Sequence, residues 1–152
     1  MTELPEDLRV ALDSDDAEEF GQLLRRRRPE DFQALQQLLS PDLSIPPDHR
    51  TKALYALGRW GDPSVVPVIR RLLPELDERG RISALSALGH LETSEAVAAI
   101  LEHADDRSPQ VRKAAAVALA RSTRPDAHAK LQELAANDPV PWIRHLAARH
   151  IS

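Results

Sequence analysis

AlaLeuTyrAlaLeuGlyArg at residues 53–59 recurs as AlaLeuSerAlaLeuGlyHis at 84–90 and as AlaAlaValAlaLeuAlaArg at 115–121, each copy 31 residues after the last. Self-similarity at a fixed period of this length marks a repeat architecture. A weaker fourth copy begins at Arg144, 32 residues after Arg112, so Arg50, Arg81, Arg112 and Arg144 share one repeat position. Within each copy the apolar residues fall at i, i+1, i+3 and i+4, a helical stripe and not the alternation of a strand. These segments are the A helices.

A second helix, B, follows each A copy. Pro63, Ser94 and Pro125 stand 31 apart, and Pro29 precedes Pro63 by 34. Proline suits the first helical position because its missing N–H would have no intrahelical partner there. Asp62, Thr93 and Ser108 stand where N-caps belong, and Leu35, Ile69, Ile100 and Leu131 align at one B-helix core position. The expected map is a leader helix near 4–12, A1 15–27, B1 29–40, A2 48–60, B2 63–73, A3 79–90, B3 94–104, A4 109–121, B4 125–136 and A5 139–151. One helix pair cannot bury its own apolar face, so neighbouring pairs must stack. The expectation is a single all-α domain over 1–152, with a divergent cap and first repeat in 1–47 and regular repeats in 48–152. Its architecture is an α-solenoid: a right-handed superhelix of antiparallel helix pairs, about four repeats plus a terminal helix.

Composition narrows the function. Of 152 residues, 42% are apolar and 29% charged, ordinary for a soluble globular chain. Aromatics are only 3%, so the core must be built from Ala, Leu, Ile and Val. With no Cys there are no disulfides, thiolate nucleophiles or Cys-ligated zinc. The opening MTELPEDLRV has early acids and no apolar h-region, so no signal peptide is expected. The longest uncharged run, 32–41, falls far short of the ~18 residues of a membrane span. The expected setting is cytoplasmic, without a membrane partner. A net charge of −4 argues against a generally basic nucleic-acid binder.

AspArgSerProGlnValArg at 106–112 and AspProValProTrpIleArg at 138–144 share the form Asp-x-x-Pro-x-(Val/Ile)-Arg. With the Ala/Leu helix that follows and GlyAspProSerValValProValIle at 61–69, the chain resembles the short HEAT-like repeat named after phycobilisome lyases. The resemblance covers 48–152 well and 15–47 weakly. It implies an Asp–Arg ladder between repeats, carried here by Asp106, Arg112, Asp138 and Arg144, with a stitching role. Glu75 stands where Asp106 would be, and Asp16 replaces the Arg of A1, so the ladder is expected to be continuous only in the second half. The resemblance also implies that B helices line an inner, concave face and A helices an outer one.

Motifs for chemistry are missing. There is no Gly-x-Ser-x-Gly elbow, Gly-x-Gly-x-x-Gly fingerprint or P-loop. Deoxyhypusine hydroxylase builds a metal site on similar repeats from His-Glu dipeptides. Here His49, His90, His103, His128, His145 and His150 precede Arg, Leu, Ala, Ala, Leu and Ile. No catalytic residues, metal or cofactor are therefore expected. His103 aligns with Leu72 and Leu134 in the B-helix core stripe. A histidine at the core edge is favoured there over an acid–base group beside Glu102 or Asp105. Arg25 to Arg28 form the one strong charge run. Cations in the last turn of a helix offset its dipole, which is favoured over an anion site.

The B-helix residues turned from the core point to a binding face. Gln33, Gln37, Arg71, Glu95, Glu102, Asp126 and Glu133 are its candidate contacts. Residues 1–47 carry net −6 and residues 48–152 net +2, while the last two B helices are acidic. An acidic groove repels phosphates and attracts basic segments. The leading expectation is a non-catalytic protein-interaction scaffold whose partner offers a basic segment, with nucleic acid disfavoured. Two rivals remain: a bilin lyase-like or cofactor-loading chaperone component, and nucleic-acid binding through Arg25–Arg28 and a basic outer face of Lys52, Arg59, His90, Lys113, Arg121 and Arg149. At the end of the chain Arg149 and His150 replace Val117 and Ala118, so A5 should cap a monomer. Leu146, Ile151 and Trp142 leave room for a weak dimer.

Overall fold

A computed structural model describes residues 3–42 and 44–151, and among these every regular element is helical. The leader is α1 (Glu6–Asp13). The A helices are α2 (Ala17–Arg26), α4 (Pro47–Trp60), α6 (Glu78–Leu91), α8 (Pro109–Leu119) and α10 (Pro141–Arg149). The B helices are α3 (Pro29–Gln37), α5 (Val66–Leu72), α7 (Ser94–Leu101) and α9 (Pro125–Asn137). From α4 onward successive A helices pack on one another, as do α5, α7 and α9, so the chain is an α-solenoid; at the amino end it is α1 that packs on both α2 and α4.

Local chemistry sets the helix starts. The Asp62 carboxylate accepts from the Ser64 N–H at 2.9 Å, Thr93 Oγ1 from Ala96 at 3.0 Å and Ser108 Oγ from Val111 at 3.3 Å. Each satisfies a donor that a helix start leaves orphaned. B2 departs from the continuous helix expected over 63–73. It opens as a 3-10 turn (Pro63–Val65), runs as α5, and closes as a second 3-10 turn (Leu73–Glu75). Pro67 and Pro74 have no N–H to give to an i−4 carbonyl, so the ends tighten to three-residue turns. B1 and B3 likewise stop short, at Gln37 and Leu101, and pass into hydrogen-bonded turns.

One apolar cluster runs from Leu8 to Ala147, and Leu35, Ile69, Ile100 and Leu131 all lie within it. The A layer is unusually tight. A Cβ built on Gly58 would stand 2.7 Å from Ala87 Cα, and one on Gly89 would stand 3.0 Å from Ala118 Cβ. Both the glycines and the alanines are 31 residues apart, so the period repeats a close backbone approach as well as a helix.

The arginines at the shared repeat position tie α4, α6, α8 and α10 each to the loop before it. Arg50 donates to the Ser40 and Asp42 carbonyls (2.8 and 2.9 Å), Arg81 to Leu76 (2.9 Å), Arg112 to Asp106 (2.9 Å) and Arg144 to Asp138 (2.6 Å). Two of them also reach forward one repeat. Arg81 meets the Asp106 carboxylate at 3.1 and 3.5 Å, and Arg112 meets Asp138 at 2.8 and 3.3 Å. Each aspartate also accepts a backbone N–H two residues on, from Ser108 and Val140 respectively, both at 2.9 Å. That double use accounts for the Asp-x-x-Pro-x-(Val/Ile)-Arg spacing. No forward pair forms from Arg50 to Glu75, and Arg50 Nε is buried without a partner.

The divergent N-terminal part is held by other means. The fully buried Asp31 takes two hydrogen bonds from Arg28, both at 3.0 Å. Nothing in the repeat spacing announced this pair. Lys52 donates to the Leu12 and Ser14 carbonyls, closing the end of α1. The Arg27 guanidinium lies 5.2 Å over the Trp60 ring and donates to the Trp60 carbonyl at 2.7 Å, while Phe32 packs on the same ring at 5.3 Å.

Candidate partner-binding face

The candidate contacts lie on four successive B elements. Gln33 is exposed on α3, whereas Gln37 is half-buried, with Oε1 buried and unpartnered. Arg71 is exposed on α5, beside Leu39, Val68 and Glu75 around a depression of about 290 Å³. Glu95 opens α7, Glu102 caps its end, and Asp126 and Glu133 lie on α9, all four exposed. Asp126 accepts the Ala127 N–H at 2.9 Å.

The face is not the bare acidic strip that alignment of the outward positions suggests. Arg70 forms an ion pair with Glu102, bridging α5 to α7. Lys130 binds both oxygens of Asp105 at 2.8 Å and Glu133 at 3.1 Å, bridging α9 to the loop after α7. Arg70 and Lys130 were missed because they sit one position off the i, i+3, i+7 stripe, yet their side chains are long enough to lean into it; Asp105 lies beyond the stripe, in the loop after α7. The i, i+3 spacing of Lys130 and Glu133 was the available signal. The Arg70 hydrogen bond holds the Glu102 carboxyl below its ordinary range. Burial pushes Lys130 down, but its bonds to Asp105 and Glu133 outweigh this and raise it. Glu95 and Asp126 make no ion pair among the described residues. A face with fixed carboxylates and interleaved cations can orient a basic chain.

His103 follows α7 and is half-buried, where Leu72 and Leu134 in the neighbouring repeats are buried. Burial lowers its pKa; Asp106 and Glu102 oppose this and Arg81 reinforces it. The unfolded imidazole, near 6.5, therefore takes a proton more readily than the folded one. Stability should be unaffected by this group above about pH 7 and should fall as pH drops toward 5. His103→Leu is expected to remove that part of the slope. The check is thermal unfolding of both proteins across pH 5–8, where the gap between them should widen on acidification.

Arg25 to Arg28 are all engaged within the chain. Arg25 pairs with Glu18 at 2.8 Å, Arg26 with Asp7 at 2.9 Å and Arg28 with Asp7 and Asp31, while Arg27 holds Trp60. Burial pushes the Asp7 carboxyl up, but the Arg26 and Arg28 hydrogen bonds outweigh it and hold it low. Arg25 and Arg26 also occupy the last turn of α2, where they offset its dipole. Among the described residues no cluster of His, Asp and Glu is placed to hold a metal, and no helix is long and apolar enough to cross a membrane.

Stacked antiparallel pairs with an arginine of α4, α6, α8 and α10 reaching into the loop before its helix define a solenoid of the HEAT type. Residues 72–152 match the family model for HEAT repeats, and the chain belongs to that family. Among solved structures the fold is similar to one described as the complex of CpcE and CpcF of phycocyanin lyase from Nostoc sp. PCC7120. That match has a TM-score of 0.66 at 20% identity and covers 90% of this chain and 100% of the other. The curated proteins give no significant match.

Proposed function

We propose that the chain is a non-catalytic interaction module that docks a protein partner, through a basic segment of that partner, on the face formed by α3, α5, α7 and α9. The whole of 1–152 acts as one domain, with 1–47 as its cap and first repeat. The observation that carries the reading is the excess of exposed carboxylate there. Glu95, Glu102, Asp105, Asp126 and Glu133 outnumber Arg70, Arg71 and Lys130, and two of those cations are already paired. The helices beneath are locked by neighbouring repeats, so the charges are presented with little ordering cost on binding. The triple variant Glu95→Lys, Glu102→Lys, Glu133→Lys should slow association with a partner recovered by affinity capture by roughly tenfold or more at low salt. Circular dichroism checks that the variant folds, and an unchanged association rate removes the proposal.

The likeness to a two-protein lyase complex favours one second reading, a bilin lyase-like or cofactor-loading component working with another chain. Incubation with bilin and an acceptor protein tests it, and no change in absorbance rules it out.

A further inference from the structure

We propose that the groove between α6 and α8, on the A-helix face, is a second docking site that takes a two-turn amphipathic helix of a partner protein, its apolar row flanked by carboxylates. The groove has a volume of about 260 Å³ and a floor of Ile82, Ala114 and Val117. An engineered apolar cavity of ~150 Å³ takes up benzene, so this one has room for more than one aliphatic side chain. Val117 is 41% exposed, although the same layer buries its other valine, Val111, completely.

Repeat register explains why the groove is open here. Tyr55, Ser86 and Val117 share one repeat position. In α4 the Tyr55 ring lies under the Arg59 guanidinium at 5.1 Å. Ser86 withdraws that ring from α6, leaving an apolar strip with nothing over it. The lining residues run over 82–90 along α6 and over 110–121 along α8 and the turn after it, rises of about 12 and 16 Å or two to three helical turns.

The rim selects the charge of the occupant. Lys113 and Arg121 flank Val117 at i−4 and i+4, both are exposed, and neither makes an ion pair among the described residues. Arg70 and Lys130 on the opposite face, by contrast, are paired. On the far rim His90 Nδ1–H donates to the Ser86 carbonyl at 2.9 Å, which fixes the ring against α6. Free cations bordering an apolar floor match a helix with leucine-like residues on one side and glutamates beside them, the helix-in-groove mode of recognition. Nucleic acid would use the cations but leave the floor empty.

The test uses the full chain and two synthetic fluorescein-labelled 14-residue helices. Both carry leucines at i, i+3, i+7 and i+10; one has glutamates at most other positions and the other lysines. In fluorescence anisotropy at low salt the glutamate helix should bind at least about tenfold more tightly. Ser86→Tyr, which restores the ring carried by α4, and the pair Lys113→Glu, Arg121→Glu should each weaken binding about tenfold or more. Circular dichroism verifies folding, which exposed Ser86 should tolerate because Tyr55 occupies the same repeat position. The triple lysine variant of the B-helix face should bind the glutamate helix at least as well as the native protein, which separates this site from the one above. Equal binding of both helices, no binding of the glutamate helix by about 1 mM, or indifference to Ser86→Tyr overturns the proposal. So does displacement of the helix by duplex DNA through Lys113 and Arg121, or sedimentation showing that a second copy fills the groove.

Discussion

Arg112→Ala, or Asp138→Ala, is expected to cost about 3–5 kcal/mol, because each leaves the other member of a buried ion pair without its partner. The Arg112 and Asp138 side chains are only 10% and 1% exposed, so the remaining charge stays largely desolvated. Such a loss is a large share of the ~5–15 kcal/mol that holds a domain folded. Arg112→Ala also removes the donor to the Asp106 and Arg107 carbonyls, and Asp138→Ala removes the acceptor of the Val140 N–H. Asp138→Asn separates these roles, since the amide oxygen can keep the bond to Val140 while the charge is lost. It should therefore be milder than Asp138→Ala. Urea unfolding of the single variants and of Arg112→Ala, Asp138→Ala together gives the coupling directly. Strictly additive losses would show that the pair does not act as a unit.

Gly58→Val is expected to destabilise by about 1–3 kcal/mol or more, and Gly58→Ala to destabilise too, despite the higher helix propensity of alanine. The obstruction is the Ala87 backbone at 2.7 Å, which cannot step aside as a flexible side chain could. Gly21 is the control. A Cβ there meets only the end of the Arg25 side chain at 3.5 Å, so Gly21→Ala should gain up to about 1 kcal/mol. Denaturant midpoints of the two alanine variants should move in opposite directions. If both rise, the A layer is looser than its spacing indicates.

The repeats were legible because each period wrote the same few demands into the chain: small residues where helices touch, leucines beneath them and a cap or proline at each start. The glycines at 58 and 89 were visible as part of the motif, but that they mark a backbone contact is known only once Ala87 and Ala118 face them. Element ends were less legible, since Pro67 and Pro74 change the hydrogen-bond spacing without interrupting the apolar pattern. Of the candidate face, the carboxylates were readable as outward positions. Arg70 and Lys130 were not, because a helical wheel places Cα atoms, and these side chains carry their charge well beyond their own stripe. Asp31 escaped for a related reason: it lies in the divergent repeat, where alignment has nothing to compare, and its partner is three residues away.

The break at Arg50 sets the order in which the molecule comes apart. In a linear array each unit leans on its neighbours, and stability is a sum of unit and junction contributions. Junctions with a forward carboxylate tie, Arg81 to Asp106 and Arg112 to Asp138, cluster in the second half, while the junction after α4 has an orphaned Nε instead. Partial opening should therefore travel inward from the amino end. Amide hydrogens of α2 and α3 should exchange through local events while those of α6 and α8 wait for global unfolding. A single chain then contains a firm keel and a detachable bow.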